Sequence, residues 1–133
     1  MMNLIWQYNE SGCHWLVGQE SLVAEKREIW QRGRLLPQLE AWRQIVKFNW
    51  SQIEKIVIVT AVAPFSVTRS VFAVANTLAW SNRIPIYKVK GPLNRSQVLN
   101  LFRQLSTASA EMGFVVPEYN SLPNITMPGK KKQ

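Results

Sequence analysis

The strongest constraint on the fold is a continuous β-branched run near the middle of the chain. Residues Lys55–Ala63 read KIVIVTAVA and end at Pro64, and such a run is typical of a strand buried on both faces of a sheet. The next segment, Ser66–Ser81, is apolar around most of a helix, and another apolar run, Ile84–Val89, follows it. Strand, helix and strand in this order predict a parallel pair of strands joined by a crossover helix.

The first third of the chain predicts antiparallel strands followed by a helix. Met2–Tyr8, Cys13–Gly18 and Leu22–Trp30 are separated by short polar turns, which is the spacing of a three-stranded meander. A first helix is expected from about residue 34 to 48, and a third over Ser96–Thr107. The apolar positions of the first helix recur at spacings of four, three and four, along one stripe: Leu35, Leu39, Trp42 and Val46.

These elements together predict one α/β domain with a mixed five-stranded sheet. Their order, β-β-β-α-β-α-β-α, is that of a single ribonuclease H-like or actin-like half-domain. We expect this lobe to span residues 1–108. Residues 109–133 have no strand or helix period, contain three prolines and end close to a Lys-Lys-Lys run, so an extended, flexible basic tail is expected there.

The composition excludes several kinds of chemistry. The chain has no Asp, one Cys and one His, which rules out Asp-built catalytic sites, an internal disulfide and a histidine-rich metal site. Cys13 and His14 are adjacent on a predicted strand and so point to opposite faces, and Glu25 and Glu28 are separated in the same way. We therefore expect no catalytic residues, no metal and no cofactor.

The net charge of +8 arises mainly in the second half of the chain. Residues 55–110 contain seven basic side chains and no acidic one, and a surface of one sign attracts phosphates and acidic proteins. The alternative is that the charge only keeps the protein dispersed. Without a membrane-length apolar run or an apparent signal peptide, a cytoplasmic location is expected. The candidate nucleic-acid contacts are Arg83, Lys88, Lys90, Arg95 and Arg103.

Residues 56–89 resemble part of the bacterial scaffold subunit of the tRNA threonylcarbamoyladenosine (t6A) machinery, the TsaB or YeaZ type. In that family a buried strand leads into a G-P-G-S-F-T-G-x-R loop, a Gly- and Ala-rich helix and a G-I-P strand entry. Phe65, Ser66 and Arg69 stand in the places of the family's Phe, Thr and Arg, and residues 82–85 match the strand entry.

The resemblance extends over about residues 3–90. Residues 34–37 are similar to the family's L-L-P helix signature, and residues 11–13 stand where the family has a turn into its second strand. Two departures imply that the nucleotide site is eroded. The family's Asp-Thr pair at the end of the first strand is Gln7-Tyr8 here, and its glycine loop is Ala61-Val62-Ala63-Pro64. Cβ atoms block the approach of a phosphate to the backbone of this loop, and Pro64 has no backbone N–H to donate to it. The family's second subdomain is also expected to be missing, since only 43 residues follow Lys90.

The resemblance implies a non-catalytic scaffold whose first two helices bundle with the same helices of the catalytic actin-like paralogue. We expect a heterodimer with that paralogue, or a homodimer, that acts in t6A modification, with tRNA as a further candidate contact. The alternative is a basic RNA-binding module on a ribonuclease H-like frame without nuclease activity. The expected interface residues are Leu35, Leu36, Leu39, Trp42, Val46, Val71, Ala75 and Leu78.

Overall fold

Five strands form one mixed sheet, in a computed structural model that describes residues 1–105. The sheet order is β3-β2-β1-β4-β5. β2 pairs antiparallel with β1 and β3, whereas β4 pairs parallel with β1 and β5. The mixed five-stranded sheet expected from the sequence is therefore confirmed. The strands are β1 (Met2–Tyr8), β2 (Gly12–Gly18), β3 (Leu22–Ile29), β4 (Ile53–Thr60) and β5 (Ile86–Lys90).

Four of the five strands run in the same direction, so they end at the same edge of the sheet. The segments that follow them, residues 9–11, 30–34, 61–64 and 91–94, form what we call the carboxyl edge. All three helices begin at this edge, and none has an acidic residue in its first turn. The helices are α1 (Leu35–Val46), α2 (Phe65–Asn82) and α3 (Arg95–Leu105).

The larger hydrophobic core lies between the sheet and the pair α1 and α2. Aromatic rings cross it in series. The rings of Trp6 and Trp15 pack edge-on with their centres 5.8 Å apart, and the rings of Trp15 and Trp42 stack with their centres 6.0 Å apart. Phe48 then contacts both Trp42 and Trp50 edge-on, at 5.7 and 5.6 Å. Burial of such large rings supplies much of the stability of a small domain.

The opposite face of the sheet is covered by α3 alone among the described helices. Val98, Phe102 and Leu105 of α3 pack there on the strands, and Phe102 has no exposed surface. Lys55 is 2% exposed on the same face, and its ammonium group donates to the carbonyl of Leu105 at the end of α3. The buried ammonium group is therefore stabilised by a hydrogen bond to a backbone carbonyl.

The element boundaries differ from the sequence expectation by three residues at most. A capping box in the short turn before β4 joins Asn49 to Gln52, with the Asn49 N–H donating to Gln52 Oε1 at 2.8 Å. The predicted basic tail, 109–133, and the last residues of the predicted third helix lie outside the described residues.

Candidate functional site

Most of the expected interface residues are used within the chain itself. Six of them are no more than 8% exposed and belong to the larger core: Leu35, Leu39, Trp42, Val71, Ala75 and Leu78. Val46 is partly buried against that core, and Leu36 is 40% exposed. A partner that docks on α1 and α2 would therefore touch their outer residues, because the apolar stripes already face the sheet.

The outer face of α2 consists of small or polar residues and one large aromatic ring. Ser66, Arg69, Ala73, Thr77 and Trp80 are all exposed and follow one another at spacings of three or four residues, so they share one side of the helix. Trp80 is 68% exposed. We call these five residues the α2 outer face.

The residues of the predicted degenerate loop come together in the first turn of α2. Phe65 is its first residue, and the Arg69 guanidinium lies 5.9 Å from the centre of the Phe65 ring. Pro64 precedes the helix and provides no side-chain cap. Arg69 thus has an aromatic contact within its own helix.

The five expected nucleic-acid contacts are all exposed but are not collected at one end of the sheet. Arg83 follows the end of α2, Lys88 and Lys90 lie on β5, and Arg95 and Arg103 lie near the two ends of α3. Arg95 is paired with the Glu25 carboxylate.

A polar network that the sequence analysis missed links β2, β3 and α3. Glu25 Oε1 accepts from His14 Nε2 at 2.9 Å, and both Glu25 oxygens accept from the Arg95 guanidinium, at 2.9 and 2.8 Å. Arg95 lowers the pKa of Glu25 to about 2, with a further contribution from His14. Burial lowers the pKa of His14 itself, although the bond to Glu25 opposes the shift. The β2–β3 register could have suggested His14 and Glu25, but nothing in the sequence connects Arg95 to them.

Cys13 and His14 face opposite sides of the sheet, as expected. Cys13 is 5% exposed in the larger core, and burial raises the pKa of its thiol to about 11. A thiol with these properties is inert. Within residues 1–105, no three carboxylate, imidazole or thiol groups lie together in a way that could hold a metal ion.

A cleft of about 700 Å³ opens at the carboxyl edge. Gln7 and Tyr8, the residues in place of the family's Asp-Thr pair, line it together with His14, Arg27 and Arg95. Val62, from the segment between β4 and α2, contributes an exposed apolar side chain.

Comparison with solved structures finds similar structures, two of which have the same TM-score. YeaZ from Pseudomonas aeruginosa superposes with a TM-score of 0.58, at 17% sequence identity, over 68% of this chain and 45% of that chain. The lobe has the fold of YeaZ. A crystal structure of an uncharacterized protein with similarity to peptidase YEAZ from Pseudomonas aeruginosa matches with the same TM-score, at 18% identity, over 67% of this chain and 43% of that chain.

The YeaZ-like fold confirms the structural part of the resemblance seen in the sequence. This chain spans less than half the length of the two matched chains. No protein-family model and no curated protein matches the sequence. None of the helices described in residues 1–105 has both the length and the hydropathy needed to cross a bilayer.

Proposed function

We propose that this chain is a non-catalytic scaffold subunit in t6A modification of tRNA, which pairs with the catalytic actin-like paralogue through the outer sides of α1 and α2. The YeaZ-like fold supports the context. The observation that supports the pairing is the α2 outer face, where Trp80 is 68% exposed beside small side chains.

The α2 outer face suits packing against another helix. Ala73 and Thr77 allow two helix axes to approach closely, and Trp80 is the kind of side chain that anchors interfaces. The Thr77 hydroxyl already donates to the Ala73 carbonyl at 2.8 Å, so it enters an interface without an unsatisfied donor. Leu36 and Ile45, 40% and 77% exposed on α1, extend the apolar surface available to a partner.

The non-catalytic assignment is supported by the residues at the carboxyl edge. β1 ends in Gln7 and Tyr8, which supply no carboxylate for a metal. Residues 61–64 carry Cβ atoms and a proline where a phosphate needs free backbone N–H groups. The threonylcarbamoyl transfer would then be carried out by the partner, and this chain would stabilise the partner's active fold.

The test is light scattering coupled to size-exclusion chromatography, on the chain alone and mixed with the catalytic paralogue of its host. We expect a one-to-one complex that Trp80→Glu disrupts, with the affinity reduced at least about tenfold. Val23→Glu is the matched control, because Val23 is 62% exposed on β3 and away from both helices. Two separately eluting proteins, or equal effects of the two variants, would contradict the proposal.

The alternative function, an RNA-binding module, is favoured by the exposed cations along β5 and α3. It predicts that tRNA binds the chain alone and that log Kd rises linearly with log salt. The double variant Lys90→Gln, Arg103→Gln should weaken that binding for all sequences alike. Unselective binding at millimolar concentrations would remove this alternative.

A further inference from the structure

The outer edge of β3 has no neighbouring strand in the described part of the chain. β3 is the last strand on its side of the sheet and has eight residues, against five in β5 at the other edge. It contains no proline, and the backbone groups along such an edge can pair with another strand. We propose that two copies of this chain pair along β3, antiparallel, so that one continuous sheet runs through both.

The hydrogen bonds to β2 show which backbone groups of β3 face outward. The Trp30 N–H donates to the Ser11 carbonyl at 2.8 Å, and β2 and β3 stay paired in that register as far as Ala24. Inward and outward groups alternate along an antiparallel strand, so residues 24, 26 and 28 bond to β2, whereas residues 25, 27 and 29 direct their N–H and C=O groups outward. The register shift of this pair of strands lies beyond Ala24, so the edge from residue 24 to 29 is regular.

The charges along this edge are self-complementary in one register. Glu25 and Arg27 share the face of the sheet on which α3 packs, because Glu25 bonds to Arg95 of α3 and side chains alternate along a strand. A two-fold axis through Lys26 puts each Glu25 directly opposite Arg27 of the second copy. A shift of the register by one pair would put Glu25 opposite Glu25, or Arg27 opposite Arg27, so the charges select a single register.

Arg27 has a charge that the chain itself does not match. It is exposed, and no carboxylate in residues 1–105 forms an ion pair with it. The like-charged pair in the proposed register is Lys26 at the axis, on the other face of the sheet. Each Lys26 ammonium lies 3.6 Å from the Glu28 carboxylate of its own copy, which offsets the repulsion.

Apolar side chains flank the charged centre. Ile29 is 76% exposed and, in this register, reaches Val23 of the second copy, which is 62% exposed. Covering these side chains removes apolar surface from water at both ends of the paired strands. The pairing uses no residue of the α2 outer face, so it is independent of the proposed scaffold interface.

Sedimentation equilibrium of the full chain alone tests the pairing. We expect a reversible dimer whose Kd rises at least about tenfold in Arg27→Glu, because two attractive cross-strand pairs become repulsive. Arg32→Glu is the matched control, since Arg32 is an exposed arginine beyond the end of β3 and undergoes the same change of charge. Arg27 is exposed, so its substitution leaves the core intact, and circular dichroism checks that each variant is folded.

Cysteine cross-linking tests the register. Residues opposite each other in a non-hydrogen-bonded antiparallel pair have Cα atoms about 4.5 Å apart, which is within disulfide range. Lys26→Cys should therefore link two copies on oxidation with copper phenanthroline, at least about tenfold faster than Glu10→Cys, which reports chance collision at an exposed turn. Cys13 does not interfere, because it is buried in the larger core.

Three results would overturn the proposal. The first is a parent chain that stays monomeric up to about 1 mM, and the second is an Arg27→Glu variant that dimerises as the parent does. The third is a Lys26→Cys variant that links no faster than Glu10→Cys. In the second case, loss of the dimer in Trp80→Glu would assign the contact to α2 instead. The catalytic paralogue is absent from all these experiments, so their outcome is separate from that of the scaffold test.

Discussion

Replacing Glu25 by Gln removes the charge that holds the start of α3 to β3. Glu25 accepts two bonds from Arg95 and one from His14, and a neutral amide of the same shape cannot reproduce that pattern. Because folding lowers the pKa of Glu25, the ionised carboxylate stabilises the folded state. We therefore expect Glu25→Gln to be less stable than the parent at neutral pH.

The expected loss is about 1 kcal/mol. The pKa falls from 4.5 to about 2, and a shift of that size corresponds to about 3 kcal/mol when the charges are shielded from solvent. The Glu25 side chain is 30% exposed and Arg95 is 57% exposed, however. Water and salt weaken an ion pair in such a position, and measured values for exposed pairs are near or below about 1 kcal/mol.

The assay is urea unfolding of the parent and Glu25→Gln from pH 7 to pH 2. A carboxyl whose pKa is lowered by folding stabilises the protein above its ordinary pKa, and this contribution is lost as the pH falls through the folded value. The difference between the two proteins should therefore be constant down to about pH 4.5 and should disappear near pH 2. Glu10→Gln, an exposed glutamate outside the network, is the control. A difference that is the same at pH 7 and pH 2 would refute the assigned role of the carboxylate.

Three further outcomes follow from the same structure. His14→Gln should gain stability relative to the parent as the pH falls below 6.5 in urea titrations, because burial lowers the pKa of the His14 imidazole and folding then opposes its protonation. Phe102→Ala should cost about 3–5 kcal/mol in the same assay, because Phe102 is fully buried under α3, the one described helix on that face. Cys13 should react with iodoacetamide about a hundredfold more slowly in buffer than in denaturant, and an equal rate would contradict its burial.

The sequence predicted the fold because its strongest signals are hydrophobic and local. The β-branched run gave the buried strand β4 in the right place, but β4 is Ile53–Thr60 rather than residues 55–63. The strand begins earlier because Ile53 already pairs with Met2 of β1. It ends earlier because its pairing with β1 stops at Val59, so residues 61–63 leave the sheet.

The candidate interface was harder to predict, because one apolar stripe has the same appearance whether it faces a sheet or a partner. Leu39 and Val71 are fully buried in this chain alone. The sequence of α2 is apolar around most of the helix, yet its outer face consists of small or polar residues and one exposed ring, Trp80. The Glu25–Arg95 pair joins residues 70 positions apart, a separation at which only the folded chain brings them together.

The series of packed rings also gives the protein an internal optical reporter. Trp6, Trp15 and Trp42 are at most 5% exposed, whereas Trp80 is 68% exposed on the α2 outer face. Emission from the buried indoles is blue-shifted and shielded from iodide. Trp80 is the most exposed of the six indoles, with Trp30 and Trp50 half-buried, so it contributes the largest share of the red-shifted, quenchable emission. A partner that covers α2 would reduce that emission and leave the emission of the core unchanged, so binding can be followed without attaching a dye.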